Sequence, residues 1–108
     1  MDAAEAREPR VAVIGFIRLA PEKLSELRPH LKAVVEATRA NDGCLMYDAT
    51  EDPFEPGVIR FTELWPDQAS LDRHSRAPHL GPWRAAVGAL GVLERRFMIY
   101  DIAGSRPL

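Results

Sequence analysis

A glutamate, a tryptophan and a histidine occur close together in the middle of the chain, as Glu63, Trp65 and His74. An imidazole titrates near neutral pH, so His74 is the leading candidate for accepting and returning a proton. Glu63 lies in a mostly apolar segment, and its carboxylate could orient His74 by accepting a ring N–H. Structural roles stay open as well. His74 could serve only to hold a helix in place, and Glu63 could form a cross-strand ion pair with Arg95 or Arg96 where two copies of the chain meet.

Aromatic and histidine side chains elsewhere in the sequence could complete a substrate-binding site. The hydroxyl of Tyr47 could donate a hydrogen bond to a substrate oxygen, and Trp65 and Trp83 could wall an aromatic substrate. His79 lies in a proline-rich break, where it could gate an opening. Each of these residues also has an ordinary explanation, because aromatic residues at the ends of elements often fill the core and loop histidines are often solvated.

The sequence does not predict a metal centre or a reactive thiol. His74 and His79 are separated by a break between helices, and spacing places no third ligand beside them. Cys44 is the one cysteine of the chain, so it forms no internal disulfide, and no neighbouring base is evident that would activate it. Arg95 and Arg96 could attract an acidic or phosphorylated ligand, although arginines on opposite faces of one strand more often form ion pairs.

Hydrophobic periodicity, with Pro, Gly and Asn-Asp-Gly at the breaks, divides the chain into strands and helices. The predicted strands cover residues 10–19, 44–50, 58–65 and 92–102, and the predicted helices run from residue 20 or 21 to the stop at 41–43, over 66–75 and over 83–90. Pro29 removes a backbone donor within the first helix, which predicts a kink. The order β-α-β-β-α-β predicts an α+β fold, a ferredoxin-like sandwich with one antiparallel sheet.

Apolar side chains occur on both faces of this predicted sheet. The first strand shows it best, with one face formed by Val11, Val13, Ile17 and Leu19 and the other by Ala12, Ile14 and Phe16. The helices of one protomer cover one face, and the other would expose several hundred Å² of apolar surface, more than monomers usually show. We therefore predict a homodimer that packs sheet against sheet.

Length and charge exclude several classes of protein. The 108 residues predict one domain over residues 10–103, with a flexible N-terminal arm at 1–9 and a tail at 104–108. A net charge of −2 argues against nucleic acid as a partner, because neutralising phosphates needs a basic excess. No apolar run approaches the ~18 residues of a membrane span. Acidic residues among the first nine are untypical of a signal peptide, which predicts a cytoplasmic protein.

Short patterns along the chain resemble the antibiotic biosynthesis monooxygenase family. They are Gly43-Cys44-Leu45-x-Tyr47, Phe61-x-Glu63-x-Trp65, the later Ala69, Leu71 and His74, and the break Ala77-Pro78-His79-Leu80. The resemblance covers roughly residues 10–102 and implies the dimeric α+β barrel of that family. Asn41 and Asp42 stand where members commonly carry an acid and a proline. We expect this difference to alter the helix exit without touching chemistry.

The resemblance implies a cofactor-independent monooxygenase that oxidises a quinol-like or polyphenolic small molecule with O2. Such chemistry needs a substrate that is deprotonated to an electron-rich anion, a dry cavity, a proton acceptor and donors for the developing oxyanion. His74 and Glu63 would be catalytic, and Tyr47, Trp65, His79 and Trp83 would bind the substrate. A proton-transfer isomerase and a non-catalytic dimeric binding module remain alternatives, because one fold hosts many functions.

Overall fold

Residues 7–108, which the computed structural model describes, form an antiparallel sheet of four strands with three helices packed on one face. The elements are β1 (Val11–Leu19), α1 (Leu24–Asn41, entered through a 3-10 turn at Pro21–Lys23), β2 (Met46–Glu51), β3 (Val58–Trp65), α2 (Gln68–Ser75), α3 (Leu80–Leu90) and β4 (Val92–Asp101). The strand order is β2-β3-β1-β4. The predicted ferredoxin-like α+β fold is therefore confirmed.

The register of the strands decides which side chains face the helices. Val13 pairs with Glu63 on one side and with Ile99 on the other, and Glu63 pairs with Tyr47 of β2. Because paired residues point to the same face of a sheet, these four side chains lie on one face. The helices cover that face, which we call the inner face.

Two predicted details of the elements are wrong. The third helix begins at Leu80, earlier than predicted, and contains Pro82 in its first turn, where backbone N–H groups have no partner within the helix anyway. Strict alternation along β4 predicts that Val92 shares a face with Met98, six residues later. A register shift beside Leu19 instead brings Val92 into the core on the inner face.

The core lies between the inner face and the helices. One cluster joins β1, β3 and the start of α1, and a second surrounds the fully buried Trp65. α1 continues through Pro29 as one helix. Gly15 matters at the centre of the sheet, because a Cβ there would overlap the Arg96 carbonyl oxygen and the Phe97 ring. Because glycine has no Cβ, the Phe97 ring can lie across the inner face at this point.

The outer face of the sheet carries apolar side chains that no helix covers. Ile14, Met98 and Tyr100 are 51%, 41% and 48% exposed, and all three lie on this face by register. Residues 1–6 of the predicted N-terminal arm lie outside the described residues, and Arg7 pairs with Asp67 at the surface. Within the described chain, none of the helices has both the length and the apolar character to span a bilayer.

Candidate active site

The carboxylate of Asp42 joins two histidines at the end of α1. Its Oδ2 lies 2.6 Å from Nδ1 of His74 and 2.9 Å from Nε2 of His79. Thr38, one helical turn before Asp42, approaches the same Nε2 at 3.2 Å through its Oγ1. The turn between α2 and α3 brings His79 back beside His74, since the Ala77 N–H donates to the His74 carbonyl and the Leu80 N–H to that of Ala77.

This arrangement fixes the orientation and tautomer of His74. An ionised carboxylate accepts hydrogen bonds and donates none. Nδ1 of His74 therefore carries a proton and donates a hydrogen bond to Asp42. Nε2 is then the unprotonated nitrogen. His74 is 7% exposed, and no side-chain nitrogen among residues 7–108 is both buried and without a partner. Burial lowers the pKa of His74, and the Asp42 hydrogen bond opposes that change. The neutral imidazole is favoured as a result.

Aromatic rings hold His74 from two sides. The Trp65 ring lies 4.9 Å from it between centroids, at 35°, and the Tyr47 ring lies 5.3 Å away, edge-on at 63°. Trp65 also donates its Nε1–H to Oε1 of Glu63 at 2.9 Å. Burial raises the pKa of Glu63 to about 7, and this hydrogen bond opposes the rise only in part. Burial likewise raises the pKa of the Tyr47 hydroxyl.

A cavity of about 530 Å³ opens between the inner face and helices α2 and α3. Its floor includes Phe61 and Phe97, whose ring centroids are 5.4 Å apart, and Trp83 stands 6.2 Å from Phe61. His74 and Glu63 line the same space. The cavity therefore combines apolar walls with a few polar groups, which is typical of sites for small organic molecules.

The structure brings four of the six predicted site residues to this cavity, namely Tyr47, Glu63, His74 and Trp83. Trp65 and His79 are not among its lining residues. Trp65 is fully buried behind His74, and His79 stands on the far side of Asp42. Trp65 contacts the lining residues His74, Glu63 and Tyr47, so it can act on a ligand in the cavity through them.

The expected partners of Glu63 are different in the structure. The partner of the His74 ring N–H is Asp42, and Glu63 instead accepts from Trp65. Within the described chain, Glu63 forms no ion pair with Arg95 or Arg96, because β1 separates β3 from β4 and Arg96 points to the outer face. The alternative ion pair across a dimer seam stays a prediction. Among residues 7–108, no ion pair holds the Glu63 carboxylate in its ionised form.

Sequence reasoning missed Asp42, which was expected to affect only the helix exit. One signal could have indicated it. Asp42 caps the C-terminus of α1, the end of a helix that disfavours negative charge. The negative charge of Asp42 is unfavourable at that end of the helix. Such a conflict with a local rule is typical of functional sites, and the two histidines later in the chain are possible partners for the acid.

The donor set of Asp42, His74 and His79 is chemically suited to a divalent metal, since their three ligand atoms lie within 4.8 Å of one another. The separations favour hydrogen bonds instead. Ligands of a tetrahedral zinc ion with bonds near 2.05 Å would stand roughly 3.3 Å apart. Asp42 is closer than that to both rings, at 2.6 and 2.9 Å. We therefore interpret the three residues as a hydrogen-bonded cluster.

Comparison with known proteins identifies the family. Residues 10–86 match the sequence profile described as antibiotic biosynthesis monooxygenase. The chain belongs to this family. The match includes β1, α1, β2, β3, α2 and the first part of α3, and with them Asp42, His74 and His79. Membership supports a general monooxygenase-like role.

Individual relatives agree with this assignment. A Mycobacterium tuberculosis protein named "Putative monooxygenase Rv0793" is 39% identical over 80 residues, covering 74% of this chain and 78% of the relative. The solved structure of Rv0793 superposes with a TM-score of 0.78, over 90% of this chain and 98% of that one. The solved structure described as "a putative antibiotic biosynthesis monooxygenase from Deinococcus radiodurans" gives a TM-score of 0.82 at 28% identity, covering 91% of this chain and 97% of that one.

Proposed function

We propose that this protein is a cofactor-independent monooxygenase that oxidises a quinol-like or polyphenolic small molecule with O2. The observation that carries the proposal is the cavity into which His74 and Glu63 both open. One supplies a neutral imidazole oriented by Asp42, and the other a carboxyl group whose pKa burial raises to about 7. Together they provide a proton acceptor and a proton donor within one largely apolar space.

His74 starts the reaction by removing a phenolic proton with Nε2. The imidazolium that forms is stabilised by Asp42, which already holds the Nδ1–H at 2.6 Å. The phenolate is rich in electrons and transfers one of them to O2, giving an aryloxyl radical and superoxide. An apolar cavity favours this transfer, because water would otherwise stabilise the phenolate and protonate it again.

The two radicals combine at a ring carbon, and the peroxide anion that forms takes the proton from the His74 imidazolium to give a hydroperoxide. Neutral His74 then accepts the hydrogen on that ring carbon as a proton while the O–O bond breaks, water leaves and a carbonyl remains. For a hydroquinone the balance is one quinol and one O2 giving one hydroxyquinone and one H2O. Glu63 in its protonated form donates to the departing hydroperoxide oxygen, and the Tyr47 hydroxyl donates to the substrate oxygen. Both side chains line the cavity beside His74.

Oxygen uptake with purified protein and a panel of hydroquinones tests this function. We expect uptake above the buffer rate after treatment with a chelator and without added flavin. The His74→Ala variant should lose roughly 100-fold or more in kcat/KM, the usual scale for a positioned base. His30→Ala is the matched control, because His30 is an exposed residue of α1 and does not line the cavity.

The outcomes separate this function from the alternatives. Absence of uptake across the panel would contradict a monooxygenase. Turnover under anaerobic conditions would favour a proton-transfer isomerase on the same scaffold. An unchanged rate in His74→Ala would remove His74 from the chemistry, whatever the reaction.

The outer face supports a homodimer formed by sheet-to-sheet packing. Ile14, Met98 and Tyr100 are all more than 40% exposed there, and a second copy of the same face would cover them with matching apolar side chains. Sedimentation at micromolar concentration should give twice the mass of one chain, and a stable monomer would refute this assembly. Ile14→Glu should shift the equilibrium toward the monomer, because it buries a charge in the contact. The cytoplasmic location stays a prediction.

A further inference from the structure

Two arginines line the cavity together with the groups that handle protons. Arg84 of α3 donates Nη2–H to the Ser75 carbonyl, and Arg95 of β4 lies with its Cζ 4.7 Å from the centroid of Phe97. Among residues 7–108, no carboxylate forms an ion pair with Arg95. Asp72 also lines the cavity, and its carboxylate accepts a hydrogen bond from Gln68.

Arg95 stands at the end of the cavity opposite His74. Tyr47, which packs edge-on against His74, is on β2, and Arg95 is on β4, at the other edge of the four-stranded sheet. Three steps between neighbouring strands separate these edges, or roughly 14 Å, and Arg95 is also displaced along β4 by four residues from Ile99, which is the residue in the row of Tyr47. The rings of Phe61 and Phe97 fill the floor in between. The cavity is therefore polar at both ends and aromatic along its length.

We propose that the cavity takes an extended phenolic carboxylate, with its phenol at His74 and its carboxylate on Arg95. A planar guanidinium matches a carboxylate with two parallel N–H···O bonds. Phe97 holds the guanidinium from below through its ring face. A phenol without an acidic end would leave Arg95 unpaired. A short aromatic acid would reach only one end of the cavity.

The placement of the phenol at His74 rests on the proposed function. Binding of such a compound, however, requires no oxygen. The test is calorimetric titration without O2, using 4-hydroxycinnamate, its neutral methyl ester and the shorter 4-hydroxybenzoate. We expect the wild-type protein to bind 4-hydroxycinnamate at least tenfold more tightly than either of the other two. Arg95→Gln should bring the acid and the ester within twofold of each other, and Arg95→Lys should keep part of the difference.

Arg76→Gln is the matched control, because it removes the same charge from an exposed residue that does not line the cavity. It should keep the tenfold preference for the acid. Equal binding of acid and ester by the wild-type protein, loss of the preference in the control, or no binding of any of the three compounds would overturn the assignment. Oxygen uptake with neutral hydroquinones is measured separately, so failure of the carboxylate site and failure of the monooxygenase function are distinguishable.

Discussion

Glu63→Gln is predicted to stabilise the protein above neutral pH. Glu63 is 5% exposed, and burial raises its pKa from 4.5 to about 7. A raised carboxyl pKa means that the folded protein holds the proton more tightly than the unfolded chain does. Ionisation therefore favours unfolding, and the cost grows as pH rises from about 4.5 to about 7. At ~1.4 kcal/mol per pKa unit the full cost is about 3 kcal/mol. Glutamine avoids this cost and keeps an oxygen for Trp65.

Urea denaturation at fixed protein concentration measures the effect, since association would otherwise shift the apparent stability. At pH 8 the variant should be more stable than the wild type by about 3 kcal/mol, and the difference should shrink to below about 1 kcal/mol at pH 5. Glu26→Gln, at an exposed position of α1, is the control and should show no such trend. A variant that is no more stable at pH 8, or a gain that does not depend on pH, would refute the burial of an ionisable Glu63.

Three further predictions concern the site and its support. Asp42→Asn should lower kcat by roughly 100-fold or more with the same quaternary structure, because an amide stabilises the His74 imidazolium less well; unchanged steady-state kinetics would contradict this. The pH–rate profile should rise through the lowered pKa of His74, as its base form appears, and fall above about 7 as Glu63 loses its proton; Glu63→Gln should abolish the falling limb. Gly15→Ala should cost about 1–3 kcal/mol in thermal or urea unfolding, since the added methyl group overlaps the Phe97 ring; full stability would show that the sheet adjusts at no cost.

The order and type of the strands and helices were predictable, because hydrophobic periodicity and turn residues indicate each of them locally along the chain. β3 has the bounds that alternation and turn residues predicted, Val58–Trp65. The register shift in β4 was not predictable, because a bulge beside Leu19 depends on how two strands pair and leaves no mark on the periodicity of either. The early start of α3 has a similar origin. Pro82 indicates a break from the sequence alone, but it is tolerated once the helix begins at Leu80.

The residue types of the site were predictable, but the contacts that these side chains make with one another were much less so. His74 and Glu63 could be selected because imidazole and a carboxylate in an apolar segment are uncommon and reactive. Their partners could not, because Asp42 precedes His74 by 32 residues and meets it only after β2, β3 and α2 have folded. Trp65 was predicted to wall a substrate. Its burial behind His74 follows from the packing of α2, which spacing along the chain does not determine.

Trp65 connects the two groups that handle protons, and this explains why a fully buried residue belongs to the functional argument. Its ring packs against His74, and its N–H holds one oxygen of Glu63. Burial and hydrogen bonding act in opposite directions on the charge of these two groups. Burial favours the neutral form of both side chains, whereas Asp42 favours the protonated form of His74 and the indole N–H favours ionised Glu63. Glu63, whose pKa is raised to about 7, is thus kept near the point where it can change protonation. Trp65 therefore places one rigid side chain in contact with both groups, so a substitution at position 65 would change the surroundings of the imidazole and of the carboxyl group together.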